Sequence, residues 1–301
     1  VSNLSPQLCP QCDEQEGTVV ARIIRARAKD LGGFSVRRVL PFHAHRMVGP
    51  WIFFDHMGPA TFDADGGINV RPHPHIGLAT VTWLFDGEVM HRDSLGNARS
   101  ITPGAVNLMI AGKGIVHSER KTPHGDGFLM EGLQLWQALP QEAEEMDPEF
   151  HHYPAEAIPQ AEVNGVSVAV IIGEAYGVTS PVKSFSRTLY MTAQLRDGRT
   201  LALPQEQELA VYVLSGALEV GGCALAAHEM AVLKPGTVAE LTATADARIA
   251  VVGGDPVGER FVEWNFVSSD KARIEQARAD WQAGAFPLIP GDDEEFIPLP
   301  E

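Results

Sequence analysis

Gly67-Ile-Asn-Val-Arg-Pro-His73-Pro-His75 and Gly112-Lys-Gly-Ile-Val-His117-Ser-Glu119 are the two stretches that decide how this chain folds. Each places two ligand-type side chains two residues apart. Residues i and i+2 of an extended strand point to the same face. His73 and His75 therefore aim both imidazoles at one point, and Pro74 stiffens the chain between them while giving up a ladder donor. His117 and Glu119 share a face in the same way. If the two strands are neighbours in a β-barrel, three imidazoles and one carboxylate converge, a set that suits a divalent transition metal. Four such ligands leave up to two octahedral positions open for substrate, dioxygen or water, and the ion keeps Lewis-acid character. A further His-x-His, His43-Ala-His45, lacks the additional acids or histidines at strand spacing that a second site would need.

The surroundings read as short strands. Alternating or apolar runs fall at 19–24, 34–40, 78–85, 106–110, 128–136, 166–172, 189–195, 209–214, 230–233 and 247–252. Turn pairs such as Asp86-Gly87, Pro103-Gly104, Asp197-Gly198, Ser215-Gly216 and Pro235-Gly236 punctuate them. Short strands with regular turn signals predict an all-β sandwich or barrel. One helix is expected near the end, capped by Ser268, Ser269 or Asp270, with Ile274, Ala277 and Trp281 on one face and Gly284 as its stop.

The chain has 301 residues, enough for about two domains. A proline-rich, acidic stretch at 141–162 reads as a linker. It separates an N-terminal tail (1–16) and a metal-binding domain (17–140) from a second domain (163–301). The halves look weakly alike: Leu84-Phe-Asp-Gly87 resembles Val213-Leu-Ser-Gly216, and Thr102-Pro-Gly104 resembles Lys234-Pro-Gly236. Two copies of one small barrel would explain this. The second copy offers Pro204, Glu206 and Ala239 where histidines would fall, so it is expected to be metal-free. The acidic run Gly291-Asp-Asp-Glu-Glu295 reads as a solvated turn.

With 23 Lys+Arg against 39 Asp+Glu, the net charge is −16. That field repels phosphate backbones and argues against direct nucleic-acid binding. No apolar run reaches membrane-spanning length, and no secretory signal is read. Three cysteines exclude a disulfide scaffold. Cys9-Pro-Gln-Cys12 lacks a second Cys-x-x-Cys to complete a zinc site, and Cys223 reads as a core residue. A reducing cytoplasm fits this usage best.

The sequence is similar to the cupin superfamily and, within it, to the pirin family. Gly67-x5-His73-x-His75 resembles the first cupin motif and Gly114-x2-His117 the core of the second. Arg46-Met-Val-Gly-Pro-Trp-Ile-Phe-Phe-Asp-His-Met-Gly58, His91-Arg-Asp-Ser-Leu-Gly-Asn97, Met109-Ile-Ala-Gly-Lys-Gly-Ile-Val-His-Ser-Glu119, Gly132-Leu-Gln-Leu-Trp136 and Phe296-Ile-Pro-Leu-Pro300 resemble pirins specifically. The resemblance spans nearly the whole chain. It implies a bicupin, two facing jelly-roll β-barrels with a short C-terminal helix. It also implies metal ligands His73, His75, His117 and Glu119. Iron is the metal it implies, as Fe(II), with Ni, Cu, Zn or Mn also able to bind such a set.

Two functions follow from the resemblance. One is quercetin 2,3-dioxygenase-type activity on a flavonol, a planar aromatic small molecule, with Glu119 as the catalytic proton acceptor. The other is a metal- or redox-sensing protein that regulates a protein partner. A cupin sugar isomerase is a third, remoter reading, and a monomer is expected. Trp83, Phe85 and Trp136 could wall an aromatic cavity or simply fill the barrel core. Ala79 stands where cupins, and many pirins, carry a glutamate four residues after the second histidine. By strand parity from His75 it is expected to face the metal, so an inward carboxylate would be missing.

Overall fold

The computed structural model describes residues 19–30, 34–63, 66–122 and 127–300. Cys9 and Cys12 lie outside the described residues. Fourteen strands build the first half and the crossover: β1 (Val20–Arg25), β2 (Arg27–Asp30), β3 (Ser35–Leu40), β4 (Trp51–Phe62), β5 (Val70–His75), β6 (Leu78–Asp86), β7 (Val89–Asp93), β8 (Ala98–Ile101), β9 (Val106–Ile110), β10 (Ile115–Lys121), β11 (Phe128–Ala138), β12 (Glu149–Tyr153), β13 (Gln160–Val163) and β14 (Val166–Ile172). Each of the ten apolar runs read from the sequence lies on a strand.

Two barrels result, each from a seven-stranded and a four-stranded sheet. The first pairs β12-β9-β6-β11-β4-β3-β2 with β5-β10-β7-β8. In the second, β1, Glu229–Leu233, Glu208–Ser215, Ala247–Gly254, Thr188–Leu195, β14 and β13 form the large sheet. The matching partition fits an internal duplication. So do two turns: Gly87 (φ 88°) and Gly216 (φ 82°) each follow a central strand and lie hard against a backbone carbonyl, of Leu129 and Asp246 respectively.

The sheets exchange strands across the expected boundaries. β1 pairs with Glu229–Leu233 of the second barrel, and β12, inside the expected linker, pairs with β9 of the first. Each large sheet is buried on both faces. One face of β6 and β11 fills the first barrel. The other, with Val81, Trp83, Leu133 and Leu135, joins Ile171, Tyr190, Tyr212 and Val252 in a core between the barrels. Strands buried on both sides lose period-two alternation. That is why β4, whose first eight residues are all buried, does not stand out in the sequence. The second barrel is filled by apolar side chains, among them Val168, Met191, Val211 and Val251.

Helix α1 (Lys271–Gln282) starts at Asp270, whose side chain accepts from the Ala272 N–H, and stops at Gly284 (φ 68°). It packs Ile274 and Ala277 against Phe266 and Trp264. Beyond it the chain returns to the first barrel. The acidic run there is not simply solvated: Asp292 accepts from Arg120 Nε (2.8 Å) and from the Ser118 hydroxyl (2.6 Å). The Arg120 guanidinium holds the Asp292 carboxyl below its ordinary range. Among the described residues, no helix is long and apolar enough to cross a membrane.

Candidate metal centre

β5 is the outer strand of its sheet and pairs only with β10. An outer strand tolerates Pro72 and Pro74, because their missing N–H groups face no ladder partner. The free edge is covered instead of exposed. Ile297 N–H donates to the Pro72 carbonyl (2.9 Å), and Ile76 bridges to Phe266.

The register puts His117 opposite His73, with Ile115 opposite His75. His73, His75 and His117 are all buried, and one ligand atom from each lies within 4.8 Å of the others. Ring centroids are 4.3 Å apart for His73 and His117, and 4.9 Å for His75 and His117. The nitrogens on an ion with metal–nitrogen bonds of about 2.0–2.1 Å are about 3–4 Å apart, so only a small contraction is needed.

The hydrogen bonds decide which nitrogens are free. His73 Nδ1 donates to the Arg71 carbonyl (2.8 Å), leaving Nε2 with its lone pair. Asp93 accepts from His91 Nε2 (2.9 Å), so a His91 ring with its single proton on Nε2 presents Nδ1 as an acceptor, 3.4 Å from His117 Nδ1. His117 then carries its proton on Nδ1 and turns the lone pair of Nε2 toward His75 Nε2, 3.1 Å away. Ring nitrogens from three histidines gathered this closely in a buried cluster are what a cation satisfies. The donor set fits a divalent metal.

Burial reinforces this. It lowers His73 to about 4 and holds His75 and His117 well below the ordinary imidazole value, so all three are neutral at neutral pH. The sign for stability follows. The unfolded chain takes up protons near pH 6.5, and the folded His73 only near 4. Stability is therefore full above about 6.5 and falls as pH drops toward 4. Glu119 acts oppositely, because burial raises its carboxyl from 4.5 to about 7 and weakens the fold as pH rises through that window. Three imidazoles outweigh one half-buried carboxylate. The metal-free protein is expected to lose melting temperature steadily from pH 6.5 to 4, and His73→Gln to flatten that slope. A slope unchanged by His73→Gln would refute the assignment.

Glu119 lines the same cavity as the three histidines, as the strand parity requires. The register shifts between His117 and Glu119, which pairs with Val70, and its carboxylate is not part of the three-histidine cluster. Ala79 corrects the parity argument. Gly77 (φ 67°) packs against the Val267 carbonyl and turns the chain between β5 and β6, so the alternation restarts. Leu78 faces the metal side, while Ala79 lies in the core between the barrels. Trp83 and Phe85 also belong to that core, and of the three aromatics only Trp136 lines the cavity. His56, buried with Nδ1 3.0 Å from the Tyr212 hydroxyl, is likewise an inter-barrel residue.

The cavity is about 360 Å³, within the range of small-molecule sites. Phe53 and Trp136 stack at 4.0 Å on one wall, and Trp264 and Asn265 reach in from the segment before α1. Sequence reading gave no role to His91 and Asp93, although their i, i+2 spacing on β7 was visible. His91 is clamped by Asp93 and stacked on Phe150 of β12 at 4.4 Å. His91→Phe keeps the stack but frees His117 to take either tautomer. It is expected to weaken metal binding about 10–100-fold with little change in the melting temperature of the metal-free protein. Chelator competition measures this, and unchanged affinity would dismiss the role.

The chain matches the family model described as Pirin over residues 33–137 and that of the Pirin C-terminal cupin domain over 190–287. A pirin-like protein of Caulobacter vibrioides is 52% identical, over 93% of this chain and 99% of its own. The chain belongs to the pirin family. Two crystal structures of quercetin 2,3-dioxygenase from Acinetobacter baumannii share this pirin's fold. One has a TM-score of 0.86 at 35% identity, covering 93% of this chain and 94% of that one. The other has 0.83 at 29%, covering 89% and 98%.

Proposed function

We propose that this pirin is an Fe(II)-dependent dioxygenase of the quercetin 2,3-dioxygenase type, acting on flavonols. The observation that carries this is one cavity lined by three neutral imidazoles, a carboxylate and the stacked Phe53–Trp136 pair. The sequence and structural likeness to quercetin 2,3-dioxygenases supports it.

His73, His75, His117 and Glu119 would hold the metal. When bound, Fe(II) supplies a Lewis acid and a redox partner for dioxygen. The protein's own part is positional and acid–base. The cavity walls, with the edges of the stacked Phe53–Trp136 pair among them, confine a planar ring beside the histidines, which turns an encounter of separate reactants into an effectively intramolecular one. Glu119, whose carboxylate lines the same cavity, is placed to accept the flavonol hydroxyl proton.

The test is anaerobic loading with Fe(II), then addition of oxygenated buffer while flavonol absorbance is followed. Rapid loss of absorbance is expected from the wild type. Glu119→Gln, compared at equal bound iron, is expected to be slower by roughly 10²–10⁴-fold, the usual range for removing a general base. No turnover by the fully loaded wild type would sink the reading.

A further inference from the structure

We infer that the end of the cavity remote from the metal is a hydroxyl-reading subsite built by Arg38 and Asp55, selecting planar aromatic ligands that carry a phenolic hydroxyl on the ring farthest from the metal. The inference rests on the flavonol reading above and deepens it.

Arg38 on β3 and Asp55 on β4 are paired in register and both line the cavity. Their bond is bidentate, Nε to Oδ1 at 2.8 Å and Nη2 to Oδ2 at 2.7 Å, with both side chains under one-tenth exposed. An ion pair this dry is weak evidence for stability, since desolvation consumes most of its Coulombic gain. A recognition role explains its place better. The remaining guanidinium nitrogen, Nη1, has no hydrogen-bond partner in the protein among the described residues.

A column of stacked side chains joins this pair to the metal site. His75 meets Trp136 edge-on at 5.1 Å, Trp136 stacks on Phe53 at 4.0 Å with ring planes 12° apart, and the Arg38 guanidinium lies 4.4 Å over Phe53. A planar ligand anchored by an oxygen at the histidines and lying against the edges of this column extends toward the ion pair, which lines the same cavity.

The pair offers both hydrogen-bonding roles at once. Nη1 donates, and the Asp55 oxygens keep spare lone pairs that accept. A phenolic hydroxyl uses both. A carboxylate or phosphate would take the donor but face the Asp55 charge. A bare phenyl ring would strip water from Nη1 and return nothing, which is the situation in which buried polar groups discriminate most strongly.

Binding to Zn(II)-loaded protein, which cannot turn over, isolates this step. Galangin, kaempferol and quercetin share one flavonol core and carry none, one and two hydroxyls on the pendant ring. Calorimetric titration is expected to show the hydroxylated pair binding at least about tenfold more tightly than galangin. The Arg38→Leu/Asp55→Leu double variant replaces the ion pair by apolar groups, a change that cores tolerate, and its melting curve checks the fold. It is expected to lose the preference for the hydroxylated pair and to bind galangin at least as tightly as the wild type does. Equal affinities in the wild type, a comparison that needs no variant, would overturn the subsite while leaving the flavonol reading intact. So would a preference that survives in the folded double variant. Failure of all three to bind would overturn both.

Discussion

A His75→Ala protein is expected to lose divalent metal by more than the roughly 10–100-fold typical when only a partner behind a metal ligand is removed. His75 is 1% exposed, its Nε2 sits 3.1 Å from that of His117, and its ring edge rests on Trp136. Alanine leaves two imidazoles and Glu119, with a void beside an indole that supplies no donor. Elemental analysis after dialysis and chelator competition measure the loss. The same change removes a buried neutral base, so the metal-free variant should also be less acid-labile than wild type. Full metal retention by His75→Ala would show that the ion, if bound, sits elsewhere.

The second large effect concerns stability. Trp51 is fully buried at the start of β4, and its indole N–H reaches the Leu189 (3.0 Å) and Gly253 (3.1 Å) carbonyls of the second large sheet. Its ring meets Tyr190 edge-on at 5.6 Å. Trp51→Ala is expected to cost about 3–5 kcal/mol through the cavity it opens. Trp51→Phe keeps most of the packing but orphans both carbonyls from the indole, at about 1–3 kcal/mol. Urea unfolding should therefore rank wild type above Phe above Ala. The Ala variant should also separate one transition into two as the barrels uncouple. Equal losses for Phe and Ala would mean that packing between the barrels contributes little.

Much of the first barrel was legible because strand chemistry is local. His73-Pro-His75 and His117-Ser-Glu119 share faces through a period of two residues, and no distant contact can change that within one strand. Ala79 escapes this rule because Gly77 intervenes, where left-handed backbone resets the period. Trp83 and Phe85 do fill core, one of the two readings open to them, and it is the core between the barrels. An apolar residue on a strand buried on both faces carries no mark of which core it enters. His91 was invisible as a partner of His117 because their contact depends on β7 lying beside β10.

Composition, turn chemistry and two-residue spacing were enough to determine an all-β chain with His73 and His75, and His117 and Glu119, paired on strand faces in its first half. Such properties arise from neighbours a few bonds apart. Tertiary structure alone decided the rest: that β1 serves the second barrel, that the Asp93–His91 pair lies beside His117, and that Arg38 and Asp55 line the same cavity as the histidines. Each depends on strands brought together from distant parts of the chain, where burial in a shared core outweighs every local preference.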